Sequence, residues 1–267
     1  MSDANPELIV ERDGSILVLT MNRPHRRNAF GPEMLVRMSD AWVELSEDPD
    51  LRVGIVTGAD GNFSSGADLK AMAEMGSGSA EWADRVKSDA DLAWRALLRH
   101  YRPTKPLIAA VEGYAIAGGT EILQAMEIRV AAETATFGIA EVRRGLFPLG
   151  GSTVRLRRQI PYTVAADLLL TGRFISAREA KDIGLIGHVV PEGQALAKAK
   201  EIACLISENG PLAVQAVLKS LRETEGLSEI DGLKRELEIG QPIFATKDAA
   251  EGPRAFTEKR KPNFTGE

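Results

Sequence analysis

Apolar positions in the first two thirds of the chain come as short, unbroken runs set between polar, glycine-rich loops; farther on they recur at helical spacing. SILVLT (15–20), RVGIVTG (52–58) and PLIAAVEG (106–113) read as buried strands, with IRVAAE and TFGI as shorter ones. Between the first two, Pro32 suits a first helical turn, and Met34, Leu35, Met38, Trp42 and Leu45 then keep a helical period. Residues 76–100 open on GSGS, a stretch expected to be mobile, and continue as a mixed helix holding Trp82 and Trp94. AIAGGTEILQAM (115–126) reads as a buried helix, yet it carries Glu121 in its middle with a glycine pair just before it. From Gly151 the helices GSTVRLRRQI, TVAADLLLTG and SAREAKDIG follow, the last with Ser176 and Glu179 at capping-box spacing. GHVV closes that part as a strand. Beyond Gly193 the pattern is almost wholly helical, with breaks expected at NGP (209–211), EGL and DGL.

Strands alternating with loops and helices place the chain in the α/β class. One body is expected over residues 1–193 and a helical region over 194–267, the latter suited to packing against other subunits. A composition of 44% hydrophobic and 27% charged residues excludes a mainly disordered or fibrous protein. The formal net charge of −5 argues against a broad nucleic-acid surface, which needs many Lys and Arg on one face. With no basic, apolar leader and no run as long as a membrane span, the expected location is the cytoplasm. Cys204 has no partner for a disulfide, and its place in EIACLI assigns it to core packing. His25, His100 and His188 lack the spacing of metal ligands, so no metal is assigned.

Candidate chemistry gathers at glycines and carboxylates. Gly118 and Gly119 precede Glu121 at a helix start, where backbone N–H groups are unpaired and the dipole is positive. Such an end can hold negative charge developing on a substrate oxygen, and glycine admits that oxygen to the backbone; the same residues also suit a plain strand-to-helix turn. FSSGADLK (63–70) offers a second N–H at Ala67, although glycine-rich turns after strands are common. Glu141 lies twenty positions beyond Glu121. Two glutamates converging on one pocket divide acid and base work, because burial and mutual repulsion separate their pKa values. The plainer role for Glu141 is an ion pair with Arg143, Arg144 or another arginine. Ser64 and Ser65 lack a GxSxG elbow, which counts against a serine hydrolase. The clusters Arg23, Arg26, Arg27 and Arg155, Arg157, Arg158 read as solvated faces, the first weighing more as a ligand contact because it follows a strand end.

Taken in order, LTMNRPHRRNAF, VTGADGNFSSGADLK, KPLIAAVEGYAIAGGTEI, FGIAEVRRGLFP, LLLTGRFISAREAKDIGLIGHVV and EGPRAFTEKRKPNF span nearly the whole chain. Together they resemble the crotonase superfamily, and within it the enoyl-CoA hydratases, actinobacterial members in particular. The resemblance implies a spiral of β-β-α repeats with a helical C-terminal trimerisation region, assembled as a homotrimer or a dimer of trimers. It implies that the N–H groups of Ala67 and Gly118 form an oxyanion hole for the thioester carbonyl of an acyl-CoA. Glu121 is implied as base toward the water that adds to Cβ, and Glu141 as the donor of a proton to Cα. The CoA is implied to run along Ser65, Ala67, Asp68, Leu69 and Lys70, with Arg26 near its phosphates. The implied reaction is reversible syn addition of water to a trans-2-enoyl-CoA, giving a 3-hydroxyacyl-CoA, in fatty-acid or steroid side-chain β-oxidation. It needs no cofactor, because the CoA belongs to the substrate.

Two departures from the family pattern stand out. Its common triple glycine is here Ala117, Gly118 and Gly119, and after Pro148 the chain reads LGGS (149–152), at a helix mouth expected to face Glu141. The rival readings are a double-bond isomerase of the same superfamily and a non-catalytic acyl-CoA binder; retention of both glutamates counts against the binder. RNA binding is disfavoured by the acidic balance. The acyl pocket is implied over residues 71–100, where Met72, Met75, Trp82 and Trp94 suit either a wide pocket or plain core.

Overall fold

Strands β1 (Leu8–Asp13), β2 (Ile16–Met21), β3 (Val53–Gly58), β4 (Leu107–Val111), β6 (Ile128–Ala132) and β9 (His188–Val190) lie in that order in one sheet of the computed structural model, which describes residues 6–68 and 80–267. β1 runs antiparallel to β2, and every other neighbouring pair is parallel. A parallel sheet is covered on both faces, so its strands read as continuous apolar runs. In β2, Leu17, Leu19 and Met21 enter one core with Met34, Met38, Trp42 and Leu45 of helix α1 (Pro32–Glu47), while Ile16 and Val18 face the other core. On that second face lie Ala195, Ala199 and Ala203 of a helix at Ala195–Ser207. Their small side chains admit the helix close to the sheet. This helix therefore packs on the body, although the expected boundary at 193/194 groups it with the tail.

Three short strands form a second sheet: β5 (Tyr114–Ile116) is parallel to β7 (Thr136–Gly138), and β7 is antiparallel to β8 (Phe174–Ser176). The sequence pattern predicts neither β5 nor β1. β5 is hidden because its three residues run straight into the glycine-led helix, and β1 because it is an edge strand with only Leu8 buried and no alternation to read. Helix α2 (Ala80–Ser88) and helix α3 (Leu92–Ala96) occupy the mixed region, with Trp82 and Trp94 half-buried beneath Arg37 and Arg99 at 5.2 and 5.1 Å. The GSGS stretch expected to be mobile, Met72 and Met75 lie outside the described residues.

Helix α4 (Gly118–Leu123) follows β5, and helices α5 (Ser152–Gln159), α6 (Tyr162–Thr171) and α7 (Ala177–Asp182) follow a 3-10 turn at Glu141–Arg144. Of the capping box only the Ser176 half is formed: Ser176 Oγ accepts the Glu179 N–H at 3.2 Å, while the Glu179 carboxylate pairs with Arg173 at 2.7 Å. After α8 (Ala195–Ser207) come α9 (Pro211–Glu223), α10 (Glu229–Gly240) and α11 (Lys247–Thr257). The chain breaks at NGP and EGL as expected, but DGL lies inside α10. There Ser228 caps the helix by accepting the Asp231 N–H at 3.2 Å, and the packed helix carries Gly232 through. Cys204 is exposed and not in the core: Ala203 points to the sheet, so its neighbour turns outward. Arg155 likewise departs from a solvated face. Its guanidinium is half-buried and donates to the carbonyls of Leu98, Arg99 and Gly150.

Candidate active site

The site is built where β5 and β7 end side by side. Their parallel register pairs Ile116 with Gly138, and Ala117 continues it by donating its N–H to Gly138 O at 2.7 Å. Glu121 follows β5 on α4, and Glu141 follows β7 on its 3-10 turn, so parallel pairing carries two residues distant in sequence to one place. Loop 63–68 is laid along the other edge of β5: Ser64 N donates to Tyr114 O and Ile116 N to Ser64 O, each at 2.9 Å.

At that seam two backbones touch. Gly66 has a φ of +87°, and a Cβ on it would stand 2.8 Å from the Gly118 nitrogen, so a side chain there is excluded on both grounds. Ala67 is exposed and Gly118 half-buried, and neither N–H donates to another group among the described residues. Two free donors thus flank the contact. Ala117, just before them, holds φ 52° and ψ −123°, a conformation that suits glycine.

Glu121 is 5% exposed, and both of its carboxylate oxygens are engaged. Gly150 N donates to Oε2 at 3.0 Å and Ser152 N to Oε1 at 3.1 Å. The mouth of α5, expected to face Glu141, faces Glu121 instead, and its unpaired N–H groups find acceptors in that carboxyl. These donors went unread in the sequence; the Gly-Gly-Ser at a helix start was their only signal. Glu141 is half-buried beside Glu121 and makes no ion pair among the described residues; Arg143 instead lies over the Phe174 ring at 5.5 Å. Its Oε2 is buried and meets no donor there. Burial pushes the Glu141 carboxyl up to about 7, and the charge of Glu121 adds to the rise. One carboxyl is held in place by two N–H groups, and its neighbour keeps a proton near neutrality. Such a pair can take one proton and give another, next to two donors able to polarise a carbonyl.

The profile of the enoyl-CoA hydratase/isomerase family matches residues 11–267. The chain belongs to the enoyl-CoA hydratase/isomerase family. Among its relatives, the enoyl-CoA hydratase EchA19 of Mycobacterium tuberculosis is 57% identical over 98% of this chain and 97% of its own. The 2,3-dehydroadipyl-CoA hydratase of Escherichia coli is 35% identical over 97% and 99%. A crystal structure of an enoyl-CoA hydratase from Mycobacterium tuberculosis superposes with a TM-score of 0.88 at 40% identity, covering 98% of this chain and 100% of that one. The crotonase fold expected from the motifs is therefore the fold of the family.

Around the family's seam, the other expected contacts separate. Arg26 is exposed, and its carbonyl accepts the Ser65 hydroxyl at 3.2 Å, which puts both residues beside Ala67. Asp68 turns its carboxylate to Arg23 Nη2 at 3.0 Å, and Arg23 also pairs with Glu7 at 2.8 Å, so Arg23 is a structural link and not a solvated residue. Arg27 lies over Tyr114 at 5.3 Å. Leu69 and Lys70 lie outside the described residues. No group of three potential metal ligands occurs among the described residues, and none of their helices is long and apolar enough to cross a membrane.

Proposed function

We propose that the protein is an enoyl-CoA hydratase, a carbon-oxygen lyase that adds water reversibly and syn to a trans-2-enoyl-CoA. The observation that carries this reading is the unlike pair of carboxyls: Glu121 held by two N–H groups, and Glu141 raised to about 7 beside it. The thioester carbonyl lies on the N–H groups of Ala67 and Gly118, which draws electrons from Cβ and lowers the energy of the enolate-like transition state. Glu121 takes a proton from a water as its oxygen bonds to Cβ, and Glu141 gives its proton to Cα. The C=C π bond is consumed, a C–O and a C–H bond form, and the pair is left with its proton on Glu121, ready for exchange through solvent.

Arg26, Ser65, Ala67, Asp68, Leu69 and Lys70 form the proposed CoA path, with the exposed Arg26 beside the loop as the phosphate contact. No cofactor is required beyond the substrate's own CoA. Assembly as a homotrimer or a dimer of trimers is supported by large apolar side chains left exposed on the C-terminal helices, including Ile230, Leu233, Leu237, Phe244 and Phe256. The five side chains named lie beyond α8, which packs on the sheet. A cytoplasmic place and a role in fatty-acid or steroid side-chain β-oxidation complete the proposal, in keeping with the hydratase names of its relatives.

The test is loss of the conjugated thioester absorbance on mixing the protein with trans-2-enoyl-CoA esters from crotonyl to bulky steroidal ones, with Glu121→Gln and Glu141→Gln alongside. Rapid loss in the parent and a drop of roughly 10²–10⁴-fold in each variant is expected. A parent that only shifts a 3-enoyl bond, without taking oxygen from labelled water, is an isomerase and overturns the proposal.

A further inference from the structure

Gln124 lies three residues beyond Glu121, 1% exposed, and none of the chemistry above uses it. Its Nε2 donates to the Ser152 hydroxyl at 2.8 Å and to Thr120 O at 3.1 Å. Ser152 is fully buried at the first turn of α5, and its N–H is one of the two that hold Glu121. The far end of α5 returns to the same residue: Gln159 Nε2 donates to Gln124 O at 2.8 Å. Arg129 Nη2 reaches that carbonyl too, at 3.2 Å. Gln124 thus ties both ends of the helix whose mouth binds Glu121.

The link has a physical cost. Gln124 Oε1 is buried without a donor among the described residues, and an unmatched buried amide oxygen destabilises a fold. Turning the amide over would set that oxygen against Thr120 O, so the orientation follows from its neighbours. A leucine would remove that unmatched oxygen but leave the buried Ser152 hydroxyl without this hydrogen bond, so the place of the glutamine is set by its tie to Ser152.

We propose that Gln124 and the Ser152 hydroxyl form a positioning pair for Glu121. They hold the α5 mouth so that two N–H groups meet the carboxylate while it accepts a proton. The inference rests on the hydratase reading. Without the pair, Ser152 N–H is no longer held against Oε1, and the carboxylate is free to leave the position from which it reaches the water.

The test compares Gln124→Leu, Ser152→Ala and the double variant by kcat and KM on the best trans-2-enoyl-CoA, with melting temperatures of each. Expected is a fall in kcat of about tenfold with KM little changed in both single variants, and a melting temperature of the double variant, which leaves neither the hydroxyl nor the amide behind, no lower than that of Gln124→Leu. The double variant should fall no further than either single one, because both remove one interaction. Gln124→Leu with unchanged kcat overturns the proposal, and so do fully additive losses. If Gln124→Leu melts much lower, Ser152→Ala, which keeps the buried N–H, decides: an unchanged kcat there overturns it. A parent without hydratase activity overturns the proposed function instead, before any variant is compared.

Discussion

Gly150 donates its N–H to Glu121 Oε2 at 3.0 Å, and a Cβ on residue 150 would stand 2.7 Å from that same oxygen. The next atoms it would meet are Glu121 Cδ at 2.8 Å and Cβ at 2.9 Å, so the whole side chain lies against this glycine. Glu121 is buried and cannot swing aside freely. Gly150→Ala is expected to displace the carboxylate by a fraction of an ångström to one ångström, and such a shift lowers kcat by roughly 10²-fold. Overpacking also costs about 1–3 kcal/mol of stability. Hydration rates and urea unfolding of the variant check both.

The pH dependence of hydration has a defined direction on its alkaline side. Glu141 must carry a proton to give to Cα, and burial with the neighbouring Glu121 charge raises it to about 7. Accordingly kcat/KM, which reports groups of the free enzyme, is expected to fall tenfold per pH unit above about 7. A profile flat from pH 6 to 9 on the order of a few tens of per cent contradicts that role.

The same raised carboxyl predicts a stability gain when it is removed. The unfolded chain releases this proton near the ordinary value of 4.5, and the native protein near about 7. Between those values the native state binds more protons, so native stability falls as pH rises, and the full loss is present above the native value. Glu141→Gln is therefore expected to be more stable than the parent at alkaline pH by about 1–2 kcal/mol, allowing for solvent screening at a half-buried site. The gap should close in acid, below the unfolded-chain value. Chemical denaturation across that range measures it.

Ala117 precedes the Gly118 donor with φ 52° and ψ −123°, where a Cβ is strained. Ala117→Gly is expected to relieve that strain and raise stability by about 1 kcal/mol, after the added freedom of the unfolded glycine is subtracted. For a chain of this length that is a rise of roughly 2–4 °C in melting temperature, read by calorimetry. An unchanged or lower melting temperature would show that the surrounding turn accommodates the methyl.

The buried strands, the α1 stripe and the Ser176 N-cap were legible in the residues, because burial pattern and cap chemistry are local. Cys204 and Gly232 misled for the same reason: a run such as EIACLI does not say which side of a helix meets the sheet, and packing overrides the weak helix propensity of one glycine. Sequence alone determined that two glutamates, a glycine pair and a serine-glycine loop sit at strand ends, and the whole set of motifs determined the family. Only the tertiary structure decided that β5 and β7 pair in register to bring Glu121 beside Glu141, and that the α5 mouth belongs to Glu121. Proximity across twenty residues, and the burial that lifts one carboxyl toward 7, are properties of pairing and desolvation in space that no local pattern encodes.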